Sequence, residues 1–303
     1  MKIGELSRGD LGERLAGTGI RLRIGPFSTH LQTSLPRMVA SLQLLYSEFP
    51  LEDCEGVADF HARLTRPWGS RRWWRPQVFF HVDGNNLFEP FPLALAPPLF
   101  EWGLNWCIST RAHQFLILHS AVVERDGRAI LLPAHPGSGK STLCAALVHR
   151  GYRLLSDEHV LLRPEDGLVV PVPRPIALKN DSIALIRELA PELTLGPPYD
   201  DVRKGIVTHV RPPPDSVARA SETALPGAVV FPRFEALSPT RLEPADKAEA
   251  MMELVDNSVN YGLWGSRGFE TLANLIDATP CYFLEHSGLD KALDALEGIE
   301  ARS

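Results

Sequence analysis

The run LLPAHPGSGKSTLCAALVHRG holds the pattern Ala134-x-x-x-x-Gly139-Lys140-Ser141 between an apolar strand-like stretch and an amphipathic helix-like one, which is the setting a phosphate-binding loop requires. Gly137 and Gly139 lack Cβ atoms, so the backbone there can curve round an anion and turn its N–H groups toward it. The N-terminus of the following helix adds positive potential at the same point. Lys140 supplies a cation for the β and γ phosphates, and Ser141 a hydroxyl for a magnesium ion, with Thr142 placed to assist. Ala134, His135, Pro136 and Ser138 complete the loop. Residues 134–142 are therefore the expected nucleotide-binding segment, with ATP and Mg2+ as its ligands; GTP or pyrophosphate as donor is not distinguished from ATP.

Such a loop serves kinases, ATPases, GTPases and transporter subunits alike, so its flanks must narrow the choice. His119 stands twenty-one positions before Lys140, and the acidic pair Asp157-Glu158 begins seventeen positions after it. A tight turn, Arg125-Asp126-Gly127, precedes the loop, and Arg150-Gly151-Tyr152-Arg153-Leu154 follows the helix. In this order the constellation resembles HPr kinase and its relatives in the phosphoenolpyruvate carboxykinase-like group. The resemblance covers roughly residues 114–175. Further on, Lys204 and Arg211 lie on a stretch that looks like the family's later phosphate-facing loop, which makes them expected phosphate or substrate contacts.

The resemblance implies a phosphotransferase that moves the γ phosphoryl group of ATP to a hydroxyl, with serine on a peptide or protein as the acceptor. A serine hydroxyl is a poor nucleophile, and Asp157 is the implied base that would take its proton. Glu158, with Asp157 and Ser141, would complete the coordination of magnesium, and His119 would hydrogen-bond Asp157 or the phosphoryl group. The family carries two aspartates where this chain has Asp157-Glu158. Its glycine-rich EIRGLGI stretch, tied to phosphorylase activity and to HPr handling, has no counterpart between Pro164 and Asn180. The chain thus resembles HPr kinase-related proteins, some of which act on precursor peptides such as those of lasso peptides, more than HPr kinase/phosphorylase itself. A small-molecule kinase of the same fold is one alternative, and a nucleotide-dependent regulatory module without phosphoryl transfer is another.

The elements that must hold these residues are legible from periodicity. Phe115 to Val123 and Ala129 to Leu132 read as a hairpin feeding the loop. Tyr152–Leu155, Val160–Leu162, Leu168–Val172 and Ala228–Phe231 continue a sheet, while 182–189, 248–254 and 268–276 read as helices. A strand at Cys281–Leu284 precedes a last helix from Leu289 to Leu296. Toward the N-terminus, strands are expected at Ile20–Ile24 and Val57–Leu64, and a helix over Pro36–Ser47. A hairpin is expected around Asp83-Gly84-Asn85-Asn86, with Gln77–Val82 and Leu87–Phe91 as its arms. A helix over 96–112 joins this part to the next. The fold class is accordingly α/β: a β-rich N-terminal module, residues 1–95, and an HPr kinase-like P-loop domain of mixed sheet and flanking helices, residues 96–303.

Bulk properties set limits. A formal charge of −6 argues against a general polyanion binder, so no nucleic-acid partner is expected. The first residues show no apolar stretch after their charges, and the apolar region near residues 90–100 is short and rich in proline. No membrane partner is expected and a cytoplasmic location is; self-association is left open. Cys54, Cys107, Cys144 and Cys281 are widely spaced and read as buried thiols. The stretch Arg66 to Arg75 interleaves guanidinium and indole groups and reads as an exposed loop whose tryptophans pack back on the sheet. Arg174 and Lys179 read as solvated cations near a turn.

Overall fold

In the computed structural model the described residues are 1–300 except 54, 55, 68, 70–73 and 136. Chain order begins with α1 (Arg8–Ala16), β1 (Ile20–Ile24), β2 (Phe27–Thr33), α2 (Pro36–Leu45), β3 (Leu51–Glu52), β4 (Phe60–Thr65), β5 (Gln77–Val82), β6 (Asn85–Asn86), β7 (Phe91–Pro92) and α3 (Ala96–Arg111). These strands form one mixed sheet in the order β3-β1-β2-β4-β5-β6, with β7 beside β5. Asp83 and Gly84 both take positive φ, 49° and 82°. The turn therefore spans only two residues and pairing resumes at Asn85, opposite Val82. The expected return arm at Leu87–Phe91 is replaced by this short β6, because a two-residue turn with both φ positive matches strand twist most closely.

The second part continues with β8 (Leu116–Arg125), β9 (Arg128–Pro133), α4 (Lys140–His149), β10 (Arg153–Ser156), β11 (His159–Leu162), β12 (Val169–Val170), β13 (Ile176–Lys179), α5 (Asp181–Leu189), β14 (Tyr199–Asp201), β15 (Gly205–Val210), α6 (Pro214–Ala218), β16 (Leu225–Phe234), β17 (Arg241–Pro244), α7 (Lys247–Asp256), α8 (Tyr261–Trp264), α9 (Ser266–Ala278), β18 (Cys281–His286) and α10 (Leu289–Glu300). A second sheet runs β12-β11-β8-β9-β16-β18-β17 with β10 also on β8, and β13-β15-β14 form a small third sheet. The fold is mixed α/β. Within the third sheet, Ile176–Lys179, expected as a turn, is a strand.

The loop strand is central because both of its faces are apolar. Ala121, Val123, Ile130 and Leu132 pack with Leu143, Cys144 and Leu147 of α4. The alternate residues Val122, Ala129 and Leu131 pack with Leu254 of α7 and Leu272 of α9. Strands sandwiched in this way read as continuous apolar runs rather than alternating ones. A separate core joins the first sheet to α1, α2 and α3 and reaches Ile117, Leu161 and Val172 of the second part. Gly103 of α3 makes that junction close: a Cβ there would stand 2.1 Å from Cζ of Phe80. Cys107, Cys144 and Cys281 are buried free thiols, and Cys54 lies outside the described residues. No helix among the described residues is long and apolar enough to cross a membrane.

Candidate active site

β9 ends at Pro133 and α4 begins at Lys140, so the glycine-rich motif forms the turn at one edge of the second sheet. Gly137 and Gly139 take φ of +93° and +85°, the left-handed region that glycine enters without strain. Ala134 is buried, His135 exposed, and Ser141 and Thr142 half-buried in the first helical turn. The hydroxyl of Ser138 is buried with no hydrogen-bond partner among the described residues. Pro136 lies outside those residues.

Lys140 is 7% exposed, and its ammonium points along the sheet edge toward β8. Its Nζ lies 3.4 Å from His119 Nε2 and 3.9 Å from Glu158 Oε2, while His119 Nδ1 is 3.6 Å from the same Glu158 oxygen. Burial, then the Lys140 charge, lowers the His119 pKa, which favours a neutral ring able to accept a proton bond from the ammonium. The expected hydrogen bond from His119 to Asp157 is not formed. The Asp157 carboxylate is turned the other way, where its Oδ2 accepts the Ala177 N–H of β13 at 3.0 Å.

Asp157 is 4% exposed, and its Oδ1 has no hydrogen-bond partner among the described residues. Burial raises its pKa to about 6, opposed by Lys140 and by the nearby Ser141 hydroxyl and reinforced by Glu158. Glu158 goes the other way. Its side chain is 25% exposed, and although burial works against ionisation, the combined pull of Lys140, His119, His159 and Arg174 holds its pKa below the usual carboxylate range. Two adjacent carboxyls thus differ by environment, one with its pKa raised to about 6 and one held below the usual carboxylate range.

The strand geometry explains how the pair is presented. β10 and β11 both pair with β8, and their register shifts between Leu154 and Ser156 before His159 comes to lie opposite His119. Such bulges re-aim side chains, and Asp157-Glu158 occupies the break that follows. Ser156 Oγ accepts the His159 N–H at 3.2 Å, and the Ser120 N–H reaches Glu158 O at 3.3 Å. β8 is pinned in turn from the C-terminal part. The His119 N–H donates to Asn257 O at 2.7 Å, and the Asn260 amide accepts from Ile117 N–H and donates to Phe115 O, each at 2.9 Å.

The Arg150 to Leu154 segment is structural. Gly151, with φ +91°, ends α4 in the manner of a glycine cap, and the Arg125 guanidinium stacks 3.7 Å above the Tyr152 ring. Arg153 is buried, paired with Glu124 of β8, and its Nη1 donates to Arg219 O and Glu222 O, each at 3.0 Å.

Several residues near the site carry no readable signal. Arg174 is not solvated but 5% exposed, because α3 offers it the Glu101 carboxylate at 3.4 Å and the Asn105 amide oxygen. Glu101 also accepts the Tyr46 hydroxyl at 2.6 Å, and burial raises its pKa to about 7 against the pull of Arg174. His159 is buried and kept neutral, its pKa pushed down to about 3 by burial and Arg174, with Nε2 2.8 Å from Ser109 Oγ. Lys179 ends β13 and is exposed; its charge reaches His119. Lys204 sits in the β14–β15 turn, its ammonium 3.9 Å from the Trp102 ring of α3, while Arg211 is directed to the N-terminal module, 3.5 Å from Ser47 Oγ. In the Arg66–Arg75 stretch, Trp68 and residues 70–73 lie outside the described residues. Trp74 is 80% exposed instead of packed on the sheet.

Among the described residues no three His, Cys, Asp or Glu side chains gather as a metal cluster. Magnesium does not need one, since it commonly takes one or two carboxylates and fills its octahedron with phosphate oxygens and water. The unpartnered Asp157 Oδ1, close to Ser141 and Glu158, fits that donor set.

No protein-family model matches the chain. Sequence similarity is local: the chain is 38% identical over 53 residues to HPr kinase/phosphorylase of Clostridium botulinum, 18% of this chain and 17% of that protein. It is 33% identical over 63 residues to HPr kinase/phosphorylase of Listeria welshimeri, 21% and 20% of the two chains. The chain thus matches about a fifth of the length of these curated relatives. The solved HPr(Ser) kinase/phosphatase from Coxiella burnetii aligns over 62% of this chain and 99% of that one, at 13% identity and a TM-score of 0.28. What the comparisons support is partial homology to HPr kinase/phosphorylase.

Proposed function

We propose that this chain is an ATP-dependent phosphotransferase, using Mg2+, that moves the γ phosphoryl group to a serine hydroxyl on a peptide or protein, a ribosomally made precursor peptide being the acceptor class we favour. The observation that carries this reading is the buried Asp157, with one oxygen fixed by Ala177 and the other unpartnered beside the phosphate loop. In the reaction the serine proton passes to Asp157 Oδ1, the serine oxygen bonds to the γ phosphorus, and the bond from that phosphorus to the leaving ADP oxygen breaks. A base with a pKa of about 6 is ionised at neutral pH yet still able to take the proton. Lys140 offsets phosphate charge, and His119 and Glu158 hold its ammonium in place. Residues 134–142 bind the nucleotide, Ser141 and Glu158, with Asp157 beside them, would hold the metal that offsets charge on the phosphates, and Lys204 contacts substrate.

We place this chemistry in residues 96–303, with 1–95 as an accessory module, in the cytoplasm, and with no nucleic-acid or membrane partner. Incubation of the protein with γ-labelled ATP and serine-containing peptides is expected to add about 80 Da, one phosphoryl group, while HPr gains little because residues 164–180 lack the stretch tied to its handling. Label on HPr but not on peptides would overturn the acceptor assignment.

A further inference from the structure

The phosphate loop has two flanks along the sheet edge, and only one of them is occupied by the residues described above. β9, which feeds the loop, lies between β8 and β16. His119 and the acidic pair stand on the β8 side. On the other side β16 runs parallel to β9 and β18 parallel to β16, so the ends of β16 and β18 emerge at the edge from which the loop springs. Those ends carry Phe234 and His286, which are register partners with ring centroids 5.8 Å apart at 73°.

Both rings adjoin the loop. A Cβ built on Gly139 would lie 3.6 Å from Cε1 and Nε2 of His286 and 3.8 Å from Cβ of Phe234. His286 is 4% exposed, yet neither ring nitrogen has a hydrogen-bond partner among the described residues. Burial lowers its pKa, with the Gly288 backbone acting in the opposite sense, so the ring offers one donor and one acceptor. Phe234 is 50% exposed at its strand end beside the loop. A buried polar ring without partners calls for a ligand group, and in parallel sheets ligands sit beyond the carboxyl ends of the strands.

We infer that Phe234 and His286 form the nucleoside end of the site, Phe234 stacking on the base and His286, closer to the loop, hydrogen-bonding the sugar. The inference rests on the loop reading given above. A triphosphate whose reacting end faces Lys140, His119 and Asp157 must leave the loop away from β8, which brings the rest of the nucleotide toward β16 and β18. Stacking makes no contact with the hydrogen-bonding edge of a base and is tolerant of base identity, so ATP and GTP are expected to bind within about 10-fold of each other.

The test compares ATP with inorganic tripolyphosphate, both with magnesium, by titration calorimetry on the full chain. Wild type should bind ATP more tightly, and Phe234→Ala should shrink the ATP-to-tripolyphosphate affinity ratio by about 5-fold to 100-fold, the span of one base stacked on one aromatic ring. His286→Phe, which keeps the ring volume, should shrink it by about 5-fold, and Phe234→Trp, which keeps an aromatic face, should preserve it. A ratio near one in wild type, or an unchanged ratio in Phe234→Ala, would overturn the assignment while leaving the loop reading intact. If neither ligand binds wild type, the loop reading fails and this inference falls with it.

Discussion

Asp157 reaches from the β10–β11 turn to β13, where its Oδ2 accepts the Ala177 N–H at 3.0 Å. That bond fixes the carboxylate plane and leaves Oδ1 as the oxygen free to act. Asp157→Asn keeps the size and the acceptor for Ala177 but removes the proton affinity. It should retain nucleotide binding within a few-fold and lose transfer by roughly 100-fold or more, the scale of general-base removal. Single-turnover transfer set against calorimetric affinity reads this out. Unchanged transfer would remove Asp157 from the chemistry and mean that the acidic pair does not match the family's.

The same carboxyl sets a pH dependence of two kinds. Its folded pKa of about 6 lies above the ordinary value, so transfer should rise as pH passes upward through about 6. Stability runs in the opposite direction. A raised folded pKa contributes stability that is full below the unfolded pKa and is lost as pH rises through about 6. Asp157→Asn should therefore raise the thermal midpoint near pH 8 and change it little near pH 4, the pattern of a site where activity is kept at some cost in stability. A lowered midpoint at pH 8 would contradict the burial argument.

Lys140 and His119 are coupled through a 3.4 Å contact, and the Lys140 charge is one reason, after burial, that the His119 pKa is low. Lys140→Met should abolish phosphoryl transfer, by at least about 100-fold given the charge it places against phosphate. It should also move the His119 titration upward, toward the ordinary histidine value. Proton-detected NMR of the imidazole follows the second effect with no substrate present. An unmoved titration would mean that the two side chains do not share a site in solution.

What the amino-acid sequence makes legible is the local chemistry. The loop, its hairpin and the acidic pair lie within residues 115–158 and are marked by glycines whose φ the turn requires, such as Gly127 at +79° and Gly139 at +85°. What could not be read lies in contacts between distant segments. Ala177 serves Asp157 through its backbone, which no residue type reveals, and Arg174 finds Glu101 across 73 positions. β13 escaped because Pro171, Pro173 and Pro175 crowd its start and signal a turn. His286 is a lone histidine in sequence, and its place beside Gly139 follows only from the strand order.

The Glu101–Arg174 pair supplies the last test, because it lies where α3 meets the second part. Arg174→Met leaves a buried carboxyl without its cation, a change that costs about 3–5 kcal/mol where the partner must remain charged. Glu101 can avoid part of that cost by taking a proton, since burial already places its folded pKa at about 7. A raised folded value means stability that is full at low pH and lost as pH rises through about 7, and the loss should steepen once Arg174 is gone. Urea unfolding should therefore show Arg174→Met strongly destabilised near pH 8 and much less so near pH 5. Adding Glu101→Gln removes the titration, so the double variant should lose the pH dependence and be less destabilised near pH 8 than the sum of the single changes, as coupled partners require. Equal destabilisation of Arg174→Met at both pH values would show that Glu101 keeps its charge without Arg174, and that the Tyr46 hydroxyl 2.6 Å away suffices to hold it.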